Sequence, residues 1–317
     1  MAFSRAPKMR VLEMRNDFIK FELSNTDVST ANSLRRIIIA EVPTMCIETV
    51  DIYENSSVLP DEVISHRLGL IPLKSTRPMR DWNFQHSCTC EDGECDDCHV
   101  SLFLDMKFDG DSEELTTAVT SADISSNNQY IEVVNFANRE EEQVAAEAAE
   151  KGITIVKIGK GQSLKLEMHA IKGISKEHSK WSPVATCALK YDAEIKLDES
   201  VLDDYTQEQK EELVNCCPTN VFEIDDATGK VSIARANDCI FCKECIFTAE
   251  EHRVVPEDAL GVSVEHSEEK FTFTVETTGA MEAKEVVLDA LEVLEQKIMK
   301  LQKATAACEQ QQASVFM

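Results

Sequence analysis

Apolar and polar positions alternate loosely from Met9 to Leu23, with Val11, Phe18, Ile19, Phe21 and Leu23 apolar and a polar break at Asn16-Asp17. That is the pattern of strands joined by a turn. The period then changes: Thr26 and Asp27 can cap a helix whose stripe is Val28, Ala31, Leu34 and Ile38, and Pro43 stops it. Alternation returns between Cys46 and Ile52, Leu59-Pro60-Asp61 interrupts it, and a second helix is predicted over 62–70 before Pro72. His99 to Phe108 predicts a strand and Ser121 to Asn128 a polar loop. Ile153 to Ile158 and Ser163 to His169 predict a pair of strands around the turn Gly159-Lys160-Gly161. No helical pattern follows that G-x-G, so it is no phosphate cradle. Arg139 to Lys151 is rich in Glu and Ala with little to bury, an exposed helix or a disordered acidic insertion.

The last part of the chain changes period again. Lys270 to Glu276 alternates Phe271, Phe273 and Val275, Thr277-Thr278-Gly279 turns the chain, and a helix is predicted from Met281 to Gln302. Its apolar positions Val287, Leu291, Leu294, Ile298 and Leu301 are spaced 4, 3, 4, 3, a heptad seam. A stripe of this width commonly packs on the helix's own domain. A long helix in the final segment has little sequence left to cover it, which favours a partner subunit.

Charge narrows the classes of function. The chain has 317 residues, enough for two or three compact units, and 43% of them are hydrophobic, enough to fill their cores. With 32 Lys plus Arg against 58 Asp plus Glu, the formal net charge is −26. A phosphate backbone repels such a chain, so no direct nucleic-acid binding is expected. The lysines between Lys151 and Lys180 interleave with strand-like apolar residues and lack an aromatic stacking platform, so they read as a solvated sheet face. Met1 to Lys20 has no uninterrupted apolar core of a secretory signal, and no stretch is long enough to span a bilayer. A soluble intracellular protein, with no membrane partner, is expected.

In a reducing compartment, clustered cysteines read as metal ligands before disulfides. Of the twelve cysteines, Cys88, Cys90, Cys95 and Cys98 read C-x-C-x4-C-x-x-C in one short polar loop, the spacing of a structural zinc site. That loop also carries Glu91, Asp92, Glu94, Asp96 and Asp97, which argues against a nucleic-acid-binding zinc finger. Cys239, Cys242 and Cys245 read C-x-x-C-x-x-C, and Cys217 precedes Pro218, two separated parts of a ferredoxin-type ligand set. In a two-cluster ferredoxin the cysteine of a Cys-Pro pair ligates the cluster held mainly by the other run, so these four ligands serve one 4Fe-4S cluster. A second zinc ion at the same thiolates is the alternative. Cys216 lacks the following Pro; with Cys46, Cys187 and Cys308 it reads as an ordinary thiol.

Other constellations are weaker. Glu62, His66 and Arg67 on the second helix have no nucleophile or metal partner at useful spacing and read as a helix surface. Arg35 and Arg36 are adjacent and point to different sides of the first helix, so one can meet an acidic partner while the other anchors the domain. There is no Asp-rich metal loop, Walker sequence or nucleophile elbow. No catalytic residue is assigned.

Four blocks carry a family resemblance: STANSLRRIIIAEVPTM at 29–45, NSSVLPDEVISHRLGLIPL at 55–73, KGISKEHSKWSP at 172–183 and FTFTVETTGAMEAKEVVLDALEVLEQKI at 271–298. In sequence and order they resemble the α-type assembly subunits of cellular RNA polymerases. The C-x-C and C-x-x-C pairs after HRLGLIPL, and Trp181, resemble the polymerase II branch. The member shared by polymerases I and III, which generally lacks these cysteines, is one alternative, and an iron-sulfur electron-transfer protein is another. The archaeal counterparts often carry a ferredoxin-like insertion, which the Cys217 to Cys245 segment resembles.

The resemblance implies an α+β fold: an RNA polymerase α-type dimerisation domain (1–45 and 259–317), an inserted β-rich domain with the zinc loop (46–190) and a ferredoxin-like subdomain (191–258). It further implies a nuclear, non-catalytic assembly subunit. That subunit would heterodimerise with the small α-like polymerase subunit through Arg35, Arg36 and the heptad seam. Together they would form the platform for the second-largest catalytic subunit, with small zinc-binding polymerase subunits alongside.

Overall fold

The computed structural model describes residues 6–75, 82–90, 95–110, 115–128, 130–134, 152–225, 228–253 and 260–315. The predicted acidic segment Arg139 to Lys151 lies outside them. In chain order the first elements are β1 (Lys8–Met14), β2 (Phe18–Ser24), α1 (Val28–Ala40), β3 (Pro43–Asn55), α2 (Asp61–Gly69), β4 (His99–Lys107), β5 (Thr116–Thr120) and β6 (Ser125–Ser126). Then come β7 (Thr154–Gly159), β8 (Ser163–Ile174), β9 (Val184–Leu197), α3 (Glu199–Asp203), α4 (Gln207–Asn215), β10 (Phe222–Ile224) and β11 (Val231–Ile233). The last are α5 (Glu244–Glu251), β12 (Val262–Thr277) and α6 (Ala283–Val315). The fold is mixed, with long antiparallel strands and separate helices.

Most predicted elements are present, and the differences have physical causes. Asp27 is the cap of α1: its Oδ1 accepts from the backbone N–H of Thr30 at 2.8 Å, satisfying one of the orphan donors of the first turn. Pro43 ends the helix as expected but also opens β3, since a first strand residue has no need of its missing N–H. The predicted pairing of the strands on either side of Gly159-Lys160-Gly161 is corrected. β7 pairs with β5, whereas β8 pairs with β3 and β4. The turn itself exists, with Gly161 at φ 79° and Gln162 N–H donating to the Gly159 carbonyl at 3.0 Å. Turn chemistry fixes a chain reversal; it does not select the strand's partner. The predicted loop 121–128 contains a 3-10 turn at Ser121–Asp123 and the short strand β6.

Four strands, β1, β2, β12 and β9, hydrogen-bond in that order. The chain divides into two compact units. One comprises Met1–Arg10, Glu22–Ala31 and Leu189–Phe273; the other comprises Val11–Phe21, Asn32–Ala188 and Thr274–Met317. In the larger unit a sheet of order β3-β8-β4-β6 presents two faces. Along β8, Leu164, Leu166, Met168 and Ala170 are buried in a core shared with Ile64 and Leu68 of α2 and with Val119 and Ile158 of the β5–β7 pair. The intervening residues face outward and are polar: Tyr53 donates to Glu167 Oε2 at 3.0 Å, and Lys165 pairs with Asp105 at 3.1 Å. This is the two-residue period of a half-buried antiparallel sheet.

In the smaller unit, Leu202, Leu213, Val221, Phe222, Ala249 and Val262 form a separate core. α4 is closed by a reciprocal cap: Gln209 N–H donates to Thr206 Oγ1 at 3.4 Å while Thr206 N–H donates to Gln209 Oε1 at 2.9 Å. The hairpin β10–β11 pairs Phe222 with Ile233 and Ile224 with Val231.

Candidate metal centres and dimerisation surface

The first cysteine set converges. A 3-10 turn at Gln85–Ser87 delivers Cys88. At the other end the N–H groups of Cys98 and His99 both donate to the Cys95 carbonyl, at 3.0 and 3.1 Å, folding the C-x-x-C segment back just before β4. The turn is tied to the sheet by Lys172, whose Nζ donates to the Trp82 carbonyl at 2.9 Å and lies 5.1 Å from the Phe84 ring centroid.

Sulfur separations are 3.5 Å for Cys88–Cys95, 3.7 Å for Cys90–Cys98 and 3.4 Å for Cys95–Cys98, and all four ligand atoms lie within 4.8 Å of one another. Tetrahedral zinc with Zn–S bonds of about 2.3 Å sets its sulfurs about 3.8 Å apart. The residues therefore fit the ion, which would bind all four thiolates, offset half of their charge and staple the loop. Hydrogen bonding from Cys88 lowers the Cys90 thiol to about 7, while burial first, then its cysteine neighbours, pushes Cys98 up to about 12.

The second set is arranged differently. Cys217 follows the C-terminus of α4, and its sulfur accepts from the Val221 N–H at 3.3 Å. Burial alone would raise this thiol, but the Val221 N–H and Thr219 outweigh it and lower it. Cys239 follows a 3-10 turn at Ala236–Asp238, and Cys245 sits in the first turn of α5. Between them the chain curls through left-handed backbone at Phe241 (φ 57°) and Lys243 (φ 66°), a conformation that costs energy for residues other than glycine.

The result is that Cys217, Cys239, Cys242 and Cys245 line one apolar cavity with Phe241 and Val264. Cys217, Cys239 and Cys245 are buried and Cys242 is exposed. Burial, followed by the surrounding thiols, pushes Cys245 up to about 12. The Cys216 sulfur donates to the Leu213 carbonyl at 3.0 Å.

No group of three or more ligand atoms among the described residues, other than the first set, converges to the spacing of a single ion. Cys217, Cys239, Cys242 and Cys245 are the residues that would hold a cluster in this cavity. A bound cluster would supply iron-thiolate bonds linking α4, the 239–245 loop and α5.

The third feature is α6. Its first two turns bury Ala283, Val286, Val287 and Ala290 within the chain, and Ala283 N–H donates to the Asn16 carbonyl at 2.8 Å. Beyond Ala290 the helix leaves that cover. Of the seam residues, Val287 is buried, Leu294 is half-buried, and Leu291, Ile298 and Leu301 are 38%, 58% and 69% exposed. The exposed Leu288 and Met299 widen the surface beyond the heptad positions. Lys297 pairs with Glu41 at 2.6 Å, tying the free half of α6 to the end of α1. On α1 the two arginines separate: Arg35 donates through Nε and Nη2 to Asn32 Oδ1 at 3.1 and 2.9 Å, and Arg36 is exposed. Glu62, His66 and Arg67 lie on α2, where Arg67 donates to the Thr154 carbonyl at 2.9 Å.

A mixed fold that leaves half of a long helix uncovered has the surface of a subunit that pairs with another chain. The sequence family of the RNA polymerase Rpb3/Rpb11 dimerisation domain matches residues 20–298, and the chain belongs to this family. Its relatives include DNA-directed RNA polymerase II subunit rpb3 of Dictyostelium discoideum, 40% identical over 301 residues, which cover 94% of this chain and 95% of that protein. The DNA-directed RNA polymerases II, IV and V subunit 3 of Arabidopsis thaliana is 41% identical over 302 residues, covering 93% and 90%. The DNA-directed RNA polymerases I and III subunit rpac1 of Dictyostelium discoideum is 33% identical over 297 residues, covering 92% and 79%. No helix among the described residues is long and apolar enough to cross a membrane.

Proposed function

We propose that the chain is the third-largest subunit of a DNA-directed RNA polymerase II and acts by assembly, without catalysis of its own. It pairs with the smaller α-like subunit along the free half of α6 and the adjoining surface of α1. The pair then presents the platform on which the second-largest catalytic subunit and the small zinc-binding subunits dock, in the nucleus. The observation that carries this reading is the exposed run Leu291, Ile298 and Leu301 on a helix whose first turns are already packed. Apolar surface of this extent favours a partner.

Zinc at Cys88, Cys90, Cys95 and Cys98 and a 4Fe-4S cluster at Cys217, Cys239, Cys242 and Cys245 serve as staples. The net charge of −26 keeps the chain itself off nucleic acid. Identity of 40 to 41% with the polymerase II relatives against 33% with the polymerase I and III relative supports the polymerase II assignment. Purification of the native complex tests it. Recovery of the chain with a small α-like subunit and the polymerase II catalytic subunits is expected. Recovery with the polymerase I and III catalytic subunits would reassign it, and recovery as a free redox protein would overturn the assembly reading.

A further inference from the structure

On the outer face of the larger unit's sheet, three strands place Asp51 (β3), His169 (β8) and His99 (β4) in a row. Thr49 opposes His169, Ser101 opposes His169 and His99 opposes Ile171, so the three side chains are diagonal neighbours on one face. Asp51 Oδ2 lies 3.0 Å from His169 Nε2, and His169 Nδ1 lies 2.8 Å from His99 Nε2. The two ring centroids are 4.8 Å apart with planes 29° from parallel. At that separation the rings meet edge to edge through the two nitrogens.

The carboxylate settles the protons. An acceptor at Nε2 keeps the proton of His169 on that nitrogen, so its Nδ1 presents a lone pair toward His99, whose Nε2–H donates to it. A carboxylate behind one nitrogen of a histidine, with the other nitrogen carrying the lone pair, is the arrangement that orients and strengthens metal-binding histidines. Two nitrogens on a tetrahedral zinc ion, with bonds of about 2.0 to 2.1 Å, stand about 3.3 Å apart. The 2.8 Å gap therefore opens by about half an ångström, and both rings turn toward one side, for an ion to bind the two nitrogens. Cys98 is buried and its neighbour His99 is half-exposed, and the His99 ring meets His169 of β8.

We propose that His99 and His169, backed by Asp51, form a two-imidazole binding site for a borderline divalent ion of the zinc class. The side chain of His169 is 18% exposed and that of Asp51 is 64% exposed, so an ion can reach the pair from solvent. With two ligands from the chain, water completes the coordination. Loading moves the Nε2 proton of His99 to the other nitrogen of its ring, so that both rings bind as neutral imidazoles. The proposal does not depend on the assembly reading.

The test is zinc binding by the full-length chain, using equilibrium dialysis with Zn2+ as the probe. Ions held by cysteine are counted separately, through the thiols they protect from alkylation. One further zinc per chain is expected. Asp51→Asn, a change at an exposed side chain, should weaken it about 10- to 100-fold, and His169→Ala should abolish it, with thiol protection unchanged in both. Zinc bound only in proportion to protected thiols would overturn the site. So would a further zinc whose affinity is the same in the wild type, Asp51→Asn and His169→Ala.

Discussion

Trp181 lies directly on the backbone of Gly173: a Cβ built on that glycine would sit 2.3 Å from Cε2 of the indole. Trp181 is buried, its Nε1 donates to the Ile171 carbonyl at 3.3 Å, and its own carbonyl accepts from Thr44 Oγ1 at 2.8 Å. Cys46 Sγ donates to the neighbouring Lys180 carbonyl at 2.9 Å. The 172–183 segment is thus locked onto β3 and β8 by a contact that only glycine permits. Gly173→Ala should force the ring away and destabilise the larger unit by about 1 to 3 kcal/mol, the usual cost of overpacking a filled core. Urea unfolding of the isolated chain measures this, and an unchanged midpoint would show that the ring has room to move.

That segment illustrates what a sequence can and cannot display. KGISKEHSKWSP was readable as a family block, yet nothing in it says that the glycine exists for the tryptophan. The helix α1, the alternation in β2 and the two cysteine sets were legible because period and spacing are local properties. The partner of β7 was not, because a turn fixes direction while burial of Val156 and Ile158 against the core decides pairing. β12 begins at Val262, before the predicted Lys270, and its first residues Val-Ser-Val-Glu-His-Ser-Glu-Glu carry no sustained alternation. α6 extends to Val315 through a segment rich in Ala, Glu and Gln, where helix propensity acts without an apolar stripe. The row of Asp51, His169 and His99 had no sequence signal, since its members come from three distant strands.

The seam on α6 should be the principal contact with the small α-like subunit. Four aliphatic side chains, Leu291, Leu294, Ile298 and Leu301, each contribute about 1.5 to 3 kcal/mol when fully covered, or roughly 6 to 12 kcal/mol before the cost of association. Leu294→Asp places a charge in the middle of that stripe and should abolish co-purification of the two subunits, while the chain's own melting changes little because Leu294 is half-exposed. Val287→Asp should instead unfold the helix's own packing, since Val287 is 4% exposed. Stoichiometric recovery of the partner with Leu294→Asp would place the interface elsewhere.

Removing the first metal should unmake its loop. Cys95 provides the carbonyl that accepts two N–H groups and the sulfur closest to Cys98, in a segment with few apolar residues to hold it. Metal binding at such sites is worth about 10 to 16 kcal/mol at neutral pH, enough to be the main source of local order. Cys95→Ala should lose one zinc per chain, expose the loop to protease and weaken assembly. Elemental analysis showing no zinc in the wild-type chain would dismiss the centre.

The last prediction separates iron from zinc at the second centre. Cys242 is the exposed thiol of the four, on a loop bent through left-handed backbone at both neighbours, so replacing it takes away one thiol with little loss of packed core. Protein prepared without oxygen should be brown and hold iron and acid-labile sulfide in about equal amounts, as a 4Fe-4S cluster requires. Cys242→Ser should lose both together, and hydrogen exchange should quicken over 217–245, where the cluster would join α4 to α5. Cys216→Ser, whose thiol points at the Leu213 carbonyl, should keep the iron. Colourless protein with two zinc ions per chain would show that the thiols can close on a single ion after all. One zinc and no iron would mean that the cavity carries no metal.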